Sequence, residues 1–115
     1  MNLVEYQRQC RAFDNHEPGL APLVLGLVSE AGEIAAELEK AARQDDQTRR
    51  SEAQLRQRML EEAGDVLWNL TRLVDTLDSS LHEVAEANLA RLHVRYRENG
   101  IALREHVEPA PGQIG

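Results

Sequence analysis

The sequence predicts an all-α fold, a four-helix bundle followed by a short C-terminal tail. Apolar residues recur at helical rather than strand spacing through most of the chain. The 115 residues include one Trp, two Tyr and one Phe, so the core is expected to be aliphatic, which suits helices packed on helices. The pattern is interrupted, where helices are expected to end, at residues 16–22, 44–51, 78–80 and 100.

The first two predicted helices flank a His-Glu-Pro-Gly turn. The first spans residues 2–14 and ends before that turn. The second opens near Pro22, because proline fits the first turn of a helix, and it continues to about Arg43. A polar loop at residues 44–50 then separates it from the third helix.

The last two predicted helices are divided by a short polar break. The third is expected at residues 51–77. Ser80 followed by Glu83 is a capping-box pattern, so the fourth helix begins there and runs to about Asn99. Gly100 then supplies a left-handed C-terminal stop.

The helical pattern covers a single predicted domain at residues 1–100. The remainder, residues 101–115, contains two prolines and two glycines and is predicted to be an extended or disordered tail. A domain of this size buries a core of modest extent. Association with further subunits is a common way for such a domain to gain buried surface.

Composition excludes several classes of function. The formal net charge of -7, from 20 acidic and 13 basic residues, argues against a nucleic-acid-binding surface. It leaves room for an anionic small molecule, provided that a divalent cation bridges it to the protein. The single cysteine excludes an intramolecular disulfide. No apolar run approaches the ~20 residues of a membrane span, and the N-terminus lacks the features of a signal peptide, so we expect a cytoplasmic protein.

Acidic residues occupy the same position relative to the apolar face on two predicted helices. Projection at about 100° per residue places Glu30 and Glu33 along one edge of the apolar face of the second helix. Glu62 and Asp65 occupy the corresponding edge of the third helix. When the two apolar faces pack together, the acidic edges can lie alongside each other.

Crowded carboxylates repel one another unless a cation lies between them. Mg²⁺ prefers oxygen ligands and is usually bound by a few carboxylates, waters and substrate phosphates. The four acids therefore suit a metal site, although solvated surface acids are the alternative. Gly32 and Gly64 each precede one of these acids. Since an interior helical glycine costs roughly 1 kcal/mol relative to alanine, either a close helix approach or simple tolerance explains them.

Three segments of the sequence resemble the MazG-like all-α NTP pyrophosphatase superfamily. Its signature is Glu-x-x-Glu, a variable gap, then Glu-x-x-Asp. The resemblance covers about residues 20–97. The segments are Leu-Val-Ser-Glu-Ala-Gly-Glu-Ile-Ala (27–35), Leu-Glu-Glu-Ala-Gly-Asp-Val-Leu-Trp-Asn-Leu (60–70) and Leu-His-Glu-Val-Ala-Glu-Ala-Asn-Leu-Ala-Arg-Leu (81–92).

The resemblance implies hydrolysis of a nucleoside triphosphate to the monophosphate and pyrophosphate, often in clearing non-standard or surplus deoxynucleotides. It also implies a dimer or tetramer and a Mg²⁺ cofactor, with Mn²⁺ as a substitute. Carried over by position, the metal ligands and catalytic residues are Glu30, Glu33, Glu62 and Asp65. One of the glutamates is a candidate to position or deprotonate the attacking water.

Residues on the fourth helix are candidates for substrate binding. Asn88 matches the asparagine of an Asn-x-x-Lys segment in the superfamily, and Arg91 replaces the lysine, which keeps the charge but changes the donor geometry. Asn88 is expected either to contact the nucleotide or to form a helix-to-helix hydrogen bond. Arg91 and Arg95 are placed to reach phosphates or to remain solvated. Lys40 is a similar candidate on the second helix.

Two neighbouring residues of the third helix complete the candidates. Asn69 shares the acidic edge and is expected near the substrate or a metal-bound water. Trp68 projects away from the main apolar face, where stacking on a nucleobase and packing at a subunit interface are both open, and we favour the interface. None of the four histidines follows a Glu at the Glu-x-x-His spacing of di-iron bundles. With no Gly-rich phosphate loop, a triphosphate must be held through metal and side chains.

Three functions remain open at this stage. The first is the nucleoside triphosphate pyrophosphohydrolase. The second is a phosphoribosyl-ATP pyrophosphohydrolase-like enzyme, which shares the helical architecture and acidic chemistry. The third is a non-catalytic acidic helical module for interaction or regulation, which predicts no turnover of any nucleotide. The preferred base is not identified by the sequence.

Overall fold

The structure is a computed structural model that describes residues 1–13 and 19–100. This part of the chain forms four α-helices and a 3-10 turn. The predicted all-α fold is thereby confirmed. The predicted tail at residues 101–115 lies outside the described residues. None of the described helices is long and apolar enough to cross a bilayer. The elements are α1 (Leu3–Cys10), the 3-10 turn (Arg11–Phe13), α2 (Leu20–Ala41), α3 (Glu52–Thr76) and α4 (Leu81–Glu98).

The helix ends around the first turn differ by a few residues from the prediction. α1 is α-helical only to Cys10 and continues as a tighter 3-10 turn; residue 14, its predicted end, lies outside the described residues. α2 begins at Leu20, so Pro22 lies in its first turn as predicted, where the missing N–H removes no helical hydrogen bond. Gly19 precedes it with φ of 79°, a left-handed conformation that glycine adopts without strain.

Both later helices are capped by serine. Ser51 begins α3 with a complete capping box: its hydroxyl accepts from the Gln54 N–H at 3.2 Å, and the Gln54 side chain accepts from the Ser51 N–H at 3.0 Å. Ser80 caps α4 by accepting from the Glu83 N–H at 3.1 Å. The Glu83 carboxylate accepts from the Ser79 hydroxyl at 2.9 Å, so the predicted box at this helix is only half formed.

The C-terminal end of α4 is closed as the sequence predicts. Gly100 has φ of 66°, in the left-handed region. Its N–H donates to the Arg97 carbonyl at 3.2 Å, which satisfies one of the carbonyls left unpaired at a helix end. A glycine at this position therefore stops the helix without strain.

α2 and α3 form the main packed pair. Gly26 lies against Asn69 near one end, and Glu37 pairs with Arg50, just before α3, near the other. Residue numbers rise along one helix as they fall along the other, so the two helices run antiparallel. The smaller α1 packs against both α3 and α4. This arrangement brings the predicted acidic edges of α2 and α3 to a shared face.

One buried glutamine connects three helices. The Gln7 side chain donates to Asp75 Oδ1 at 2.9 Å and to the Ser79 carbonyl at 3.0 Å, and it accepts from the Leu81 N–H at 2.8 Å. Arg11 adds three hydrogen bonds to Asp75: Nε donates to both carboxylate oxygens, at 2.9 and 3.1 Å, and Nη2 donates to Oδ1 at 2.6 Å. The Arg11 hydrogen bond lowers the pKa of Asp75 against the opposing effect of burial. The network fixes α1 to the turn between α3 and α4.

The apolar core is thin in the part of the chain that the structure describes. Its buried hydrophobic residues are Cys10, Leu23, Val74 and Leu81. Many large apolar side chains are instead exposed. Those on α2 and α4 are Leu20, Val24, Leu25, Val28, Leu38, Val84, Leu89, Val94 and Tyr96.

Candidate metal centre

Three of the four predicted metal ligands converge between α2 and α3. Carboxylate oxygens of Glu30, Glu62 and Asp65 all lie within 4.8 Å of one another. Glu30 and Glu62 are half-buried, and Asp65 is exposed. We refer to these three residues as the carboxylate cluster. Glu33, the fourth predicted ligand, is exposed and lies outside the cluster, close enough for its charge to act on Glu62.

The helical geometry explains the cluster. Glu62 and Asp65 are three residues apart on α3, so their side chains leave the helix on the same side. The antiparallel packing of α2 then places Glu30 opposite both. Asn69, one turn further along α3, donates from Nδ2 to the Asp65 carbonyl at 3.0 Å and turns its oxygen toward α2. Asn69 thus lies at the same helix interface as the cluster, and its contact with substrate or a metal-bound water stays a prediction.

Crowding by neighbouring carboxylates perturbs Glu62. Burial raises the pKa of Glu62, and the negative charges of Asp65, Glu30 and Glu33 raise it further. A hydrogen bond with Glu30 acts in the same direction, because it favours the protonated form of Glu62. Either a shared proton or a bound cation relieves this repulsion. An all-oxygen donor set fits a hard divalent cation such as Mg²⁺ or Mn²⁺.

The close helix approach occurs at a glycine other than the two named from the sequence. A β-carbon on Gly26 would lie 2.9 Å from Asn69 Oδ1, which is closer than real β-carbons come to another atom. A β-carbon on Gly32 or Gly64 would meet nothing within 4 Å among the described residues. Of the two explanations that the sequence left open for Gly32 and Gly64, simple tolerance fits the structure and close approach does not.

Lys40 is engaged in a separate ion-pair group. Its Nζ lies 3.3 Å from Glu37 Oε1, and Arg50 Nε lies 3.1 Å from Glu37 Oε2. The Glu37 side chain is only 5% exposed. Burial alone would raise the pKa of Glu37, but Lys40 and Arg50 outweigh it and lower the pKa. The Arg50 N–H also donates to the Lys40 carbonyl at 3.2 Å, so this group, the Glu37 clasp, closes the loop between α2 and α3.

The candidates on α4 lie on a different helix pair from the cluster. Asn88, Arg91 and Arg95 are all exposed. α4 packs on α1, whereas the cluster lies between α2 and α3, and the charges that shift the pKa of Glu62 are carboxylates of those two helices. Since Asn88 is exposed, its side chain does not require a hydrogen-bond partner on another helix.

An aromatic recess adjoins the cluster through Tyr6 and Trp68. Burial raises the pKa of Tyr6 to about 12, with contributions from its hydrogen bond with Cys10, the Cys10 charge and the Asp65 charge. Trp68 packs edge-to-face with Phe13, their ring centroids 6.5 Å apart, under the Arg72 guanidinium at 5.3 Å. The recess has a volume of about 260 Å³ and is lined by Met1, Tyr6, Gln9, Cys10, Phe13 and Trp68.

Sequence reasoning missed the contribution of α1 to this recess. Tyr6, Cys10 and Phe13 recur at helical spacing, so they share one side of the first helix and its extension. The helical spacing of these three residues was the signal that the sequence offered. It indicates a packed face but does not identify the helix against which the face packs.

The fold and the cluster define a class of protein: an all-α bundle in which two antiparallel helices bring carboxylates together. Comparison with known sequences agrees, because residues 20–99 match the MazG nucleotide pyrophosphohydrolase domain. The chain belongs to this family, which confirms the resemblance found in its motifs.

Two individual proteins are similar to the chain. Gene 37 protein of Mycobacterium phage L5 is 37% identical over 83 residues, which cover 72% of this chain and 70% of that protein. The crystal structure of iMazG from Vibrio DAT 722 superposes with a TM-score of 0.60 at 23% identity, over 84% of this chain and 98% of that one. At that level of identity, the second similarity establishes the shared fold.

Proposed function

We propose that the protein is a Mg²⁺-dependent nucleoside triphosphate pyrophosphohydrolase that converts a (d)NTP to the (d)NMP and pyrophosphate in clearing the nucleotide pool. The observation that carries the proposal is the convergence of Glu30, Glu62 and Asp65 within 4.8 Å. Membership of the MazG nucleotide pyrophosphohydrolase family supports the reaction class.

The carboxylate cluster is the proposed cation site. Glu30 and Glu62 supply half-buried oxygens, and Asp65 supplies an exposed one that leaves an open side for the substrate. Held by Glu30, Glu62 and Asp65, a Mg²⁺ or Mn²⁺ ion would neutralise triphosphate charge and lower the pKa of a nearby water. Repulsion among the carboxylates favours cation binding, because it is relieved when the cation binds.

Glu33 is the proposed water-positioning residue. It is exposed, lies near the cluster and remains outside the group of three converging acids. Its carboxylate orients a water and accepts one of its protons. The water oxygen forms a bond to the α-phosphorus as the bond to the bridging oxygen breaks, and pyrophosphate leaves with that electron pair. The monophosphate keeps the oxygen from water.

The α4 residues act on the substrate from a second subunit in this proposal. Within one subunit, Asn88, Arg91 and Arg95 lie on a helix that packs on α1, away from the cluster. The exposed apolar residues of α2 and α4 offer surface for a dimer or tetramer. Such an assembly brings the two arginines of one copy toward the phosphates held by another.

Pyrophosphate release tests the proposal directly. A panel of canonical and modified (d)NTPs, together with phosphoribosyl-ATP, is incubated with Mg²⁺ and without it. Glu62→Gln is expected to abolish release while the helical circular-dichroism signal is retained. Glu61→Gln is the matched control, because Glu61 is the preceding residue on α3 but is exposed and pairs with Arg58 at 3.3 Å. Absence of release from every nucleotide would leave the non-catalytic module as the function.

A further inference from the structure

We propose that the aromatic recess beside the cluster binds the base of the nucleotide, with the Trp68 ring as its stacking surface. The inference rests on the proposed function and assigns the part of the site that recognises the substrate. It follows from where the recess lies, what lines it and how it is held.

The position of the recess fits the geometry of a nucleotide. Trp68 follows Asp65 by three residues on α3, so it lies less than one turn from a cluster carboxylate. On the opposite wall, Tyr6 lies close enough to Asp65 for the charge of that carboxylate to affect its pKa. Phosphates held at the cluster therefore place the attached sugar and base beside this recess.

The lining of the recess fits a planar, weakly polar ligand. Trp68, Phe13 and Tyr6 supply aromatic surface, and its volume of about 260 Å³ suits a single ring system rather than a large ligand. Phe13 is 74% exposed, so its ring has apolar area that a bound base would cover. Stacking on aromatic side chains is worth roughly 1–3 kcal/mol per base.

The Trp68 ring is held in place before any ligand arrives. Arg72 stands over it at 5.3 Å, and Phe13 meets it edge-to-face with an interplanar angle of 73°. A stacking surface whose orientation is already fixed loses little side-chain entropy when a ligand binds. The recess is therefore preorganised on its α3 side.

One polar group of the recess is oriented to distinguish bases. The Gln9 amide nitrogen donates to Glu5 Oε1 at 2.9 Å. Because a carboxylate only accepts hydrogen bonds, this contact fixes which end of the amide faces Glu5 and leaves the Gln9 oxygen as the acceptor. An acceptor suits bases with an exocyclic amine, namely adenine, cytosine and guanine, over uracil and thymine, which lack that group.

Fluorescence of Trp68, the single tryptophan of the chain, tests the proposal. The full-length protein is titrated in Mg²⁺ with α,β-methylene dATP and dCTP, and with inorganic triphosphate, which lacks a base. The nucleotides are expected to quench Trp68 emission, whereas inorganic triphosphate competes in the pyrophosphate-release assay without quenching. Emission that changes with protein concentration but not with nucleotide would place the ring at a subunit interface and overturn the proposal.

Two variants make the kinetic test independent of the fluorophore. Phe13→Ala removes an exposed ring and is expected to raise KM for nucleotides roughly tenfold with little change in kcat, in line with the loss of one stacking contact. Leu77→Ala is the control, since it removes an apolar side chain that is 58% exposed at the far end of α3. If nucleotides are hydrolysed but Phe13→Ala leaves KM unchanged and no quenching occurs, the base site is wrong and the enzymatic proposal stands. If no nucleotide is hydrolysed, the enzymatic proposal fails, and the quenching result still decides whether the recess binds a base.

Discussion

The side-chain oxygen of Asn69 lies 2.9 Å from the point that a β-carbon on Gly26 would occupy. This is closer than real β-carbons approach other atoms, so a side chain at position 26 would require the Asn69 amide to move. The same Asn69 donates to the Asp65 carbonyl at 3.0 Å. Gly26 therefore leaves room for the Asn69 side chain next to a cluster residue.

Alanine substitutions at two glycines of α2 are expected to have different effects. Gly32→Ala should stabilise the protein by up to about 1 kcal/mol, because alanine favours helix and nothing lies within 4 Å of the new methyl group. Gly26→Ala should not give this stabilisation, because the new methyl group would displace the Asn69 side chain. Urea unfolding measures both, and Gly26→Ala/Asn69→Ala should recover the gain. Equal stabilisation by the two single substitutions would contradict the close approach.

Removal of one cluster charge should stabilise the metal-free protein. The raised pKa of Glu62 shows that its negative charge is unfavourable in the folded state, so Glu62→Gln is expected to raise Tm at neutral pH without divalent ions. Added Mg²⁺ should raise the Tm of the wild type and of Glu61→Gln, but not that of Glu62→Gln. The cation site would be disproved by a Mg²⁺-induced shift that survives Glu62→Gln unchanged.

The buried glutamine of α1 should matter more than its exposed neighbour. Gln7→Leu leaves the Leu81 N–H and the Ser79 carbonyl without their partner and is expected to lower the free energy of unfolding by about 2 kcal/mol or more. Gln9→Leu, on the exposed side of the same helix, should change it by less than about 0.5 kcal/mol. Chemical denaturation of the two variants checks the difference.

The contribution of Asp75 to the stability of the protein should depend on pH. Its folded-state pKa is lowered from 3.8, so its contribution to stability is present above the unfolded-state pKa and is lost as pH falls through the folded-state value. The wild type should therefore be more stable than Asp75→Asn at pH 5 and above, and the two should converge as pH falls below about 4. A stability difference that is constant from pH 7 to pH 3 would show that Asp75 does not act through its charge.

Complementation tests whether α4 acts on a neighbouring subunit. Glu62→Gln and Arg91→Ala should each lower pyrophosphate release when purified alone. If Arg91 of one copy serves the cluster of another, subunit exchange between the two variants should restore roughly a quarter of wild-type activity in a dimer, since half the pairs are mixed and each mixed pair has one intact site. Mixtures no more active than the separate variants would place Arg91 with its own cluster or remove it from the reaction.

The features predicted from sequence are those that depend on local periodicity. The apolar faces of α2 and α3 are long and regular, so the phase of Glu30, Glu62 and Asp65 relative to the core could be read from spacing alone. Ser80 and Gly100 likewise marked helix ends through chemistry that acts within a few residues.

The features that were missed depend on which elements meet in space. Tyr6 lies near Asp65 only because α1 packs on α3, and Lys40 is held by Glu37 together with a residue beyond the loop. Spacing identified Gly32 and Gly64 as glycines inside helices. It did not reveal that the facing side chain, Asn69, lies opposite Gly26.

The Glu37 clasp has a consequence for how the sequence can change length. Arg50 is bound through both its side chain and its backbone N–H to the end of α2, immediately before Ser51 caps α3. The helix register is thus set at the clasp, and residues 42–49 connect two ends that are already held together. Doubling the length of a flexible loop costs only about 0.6 kcal/mol in closure entropy. Insertions in this loop, whether natural or an engineered reporter peptide, should lengthen the chain between the acidic residues of α2 and those of α3. The distance between these residues in the folded protein should stay the same.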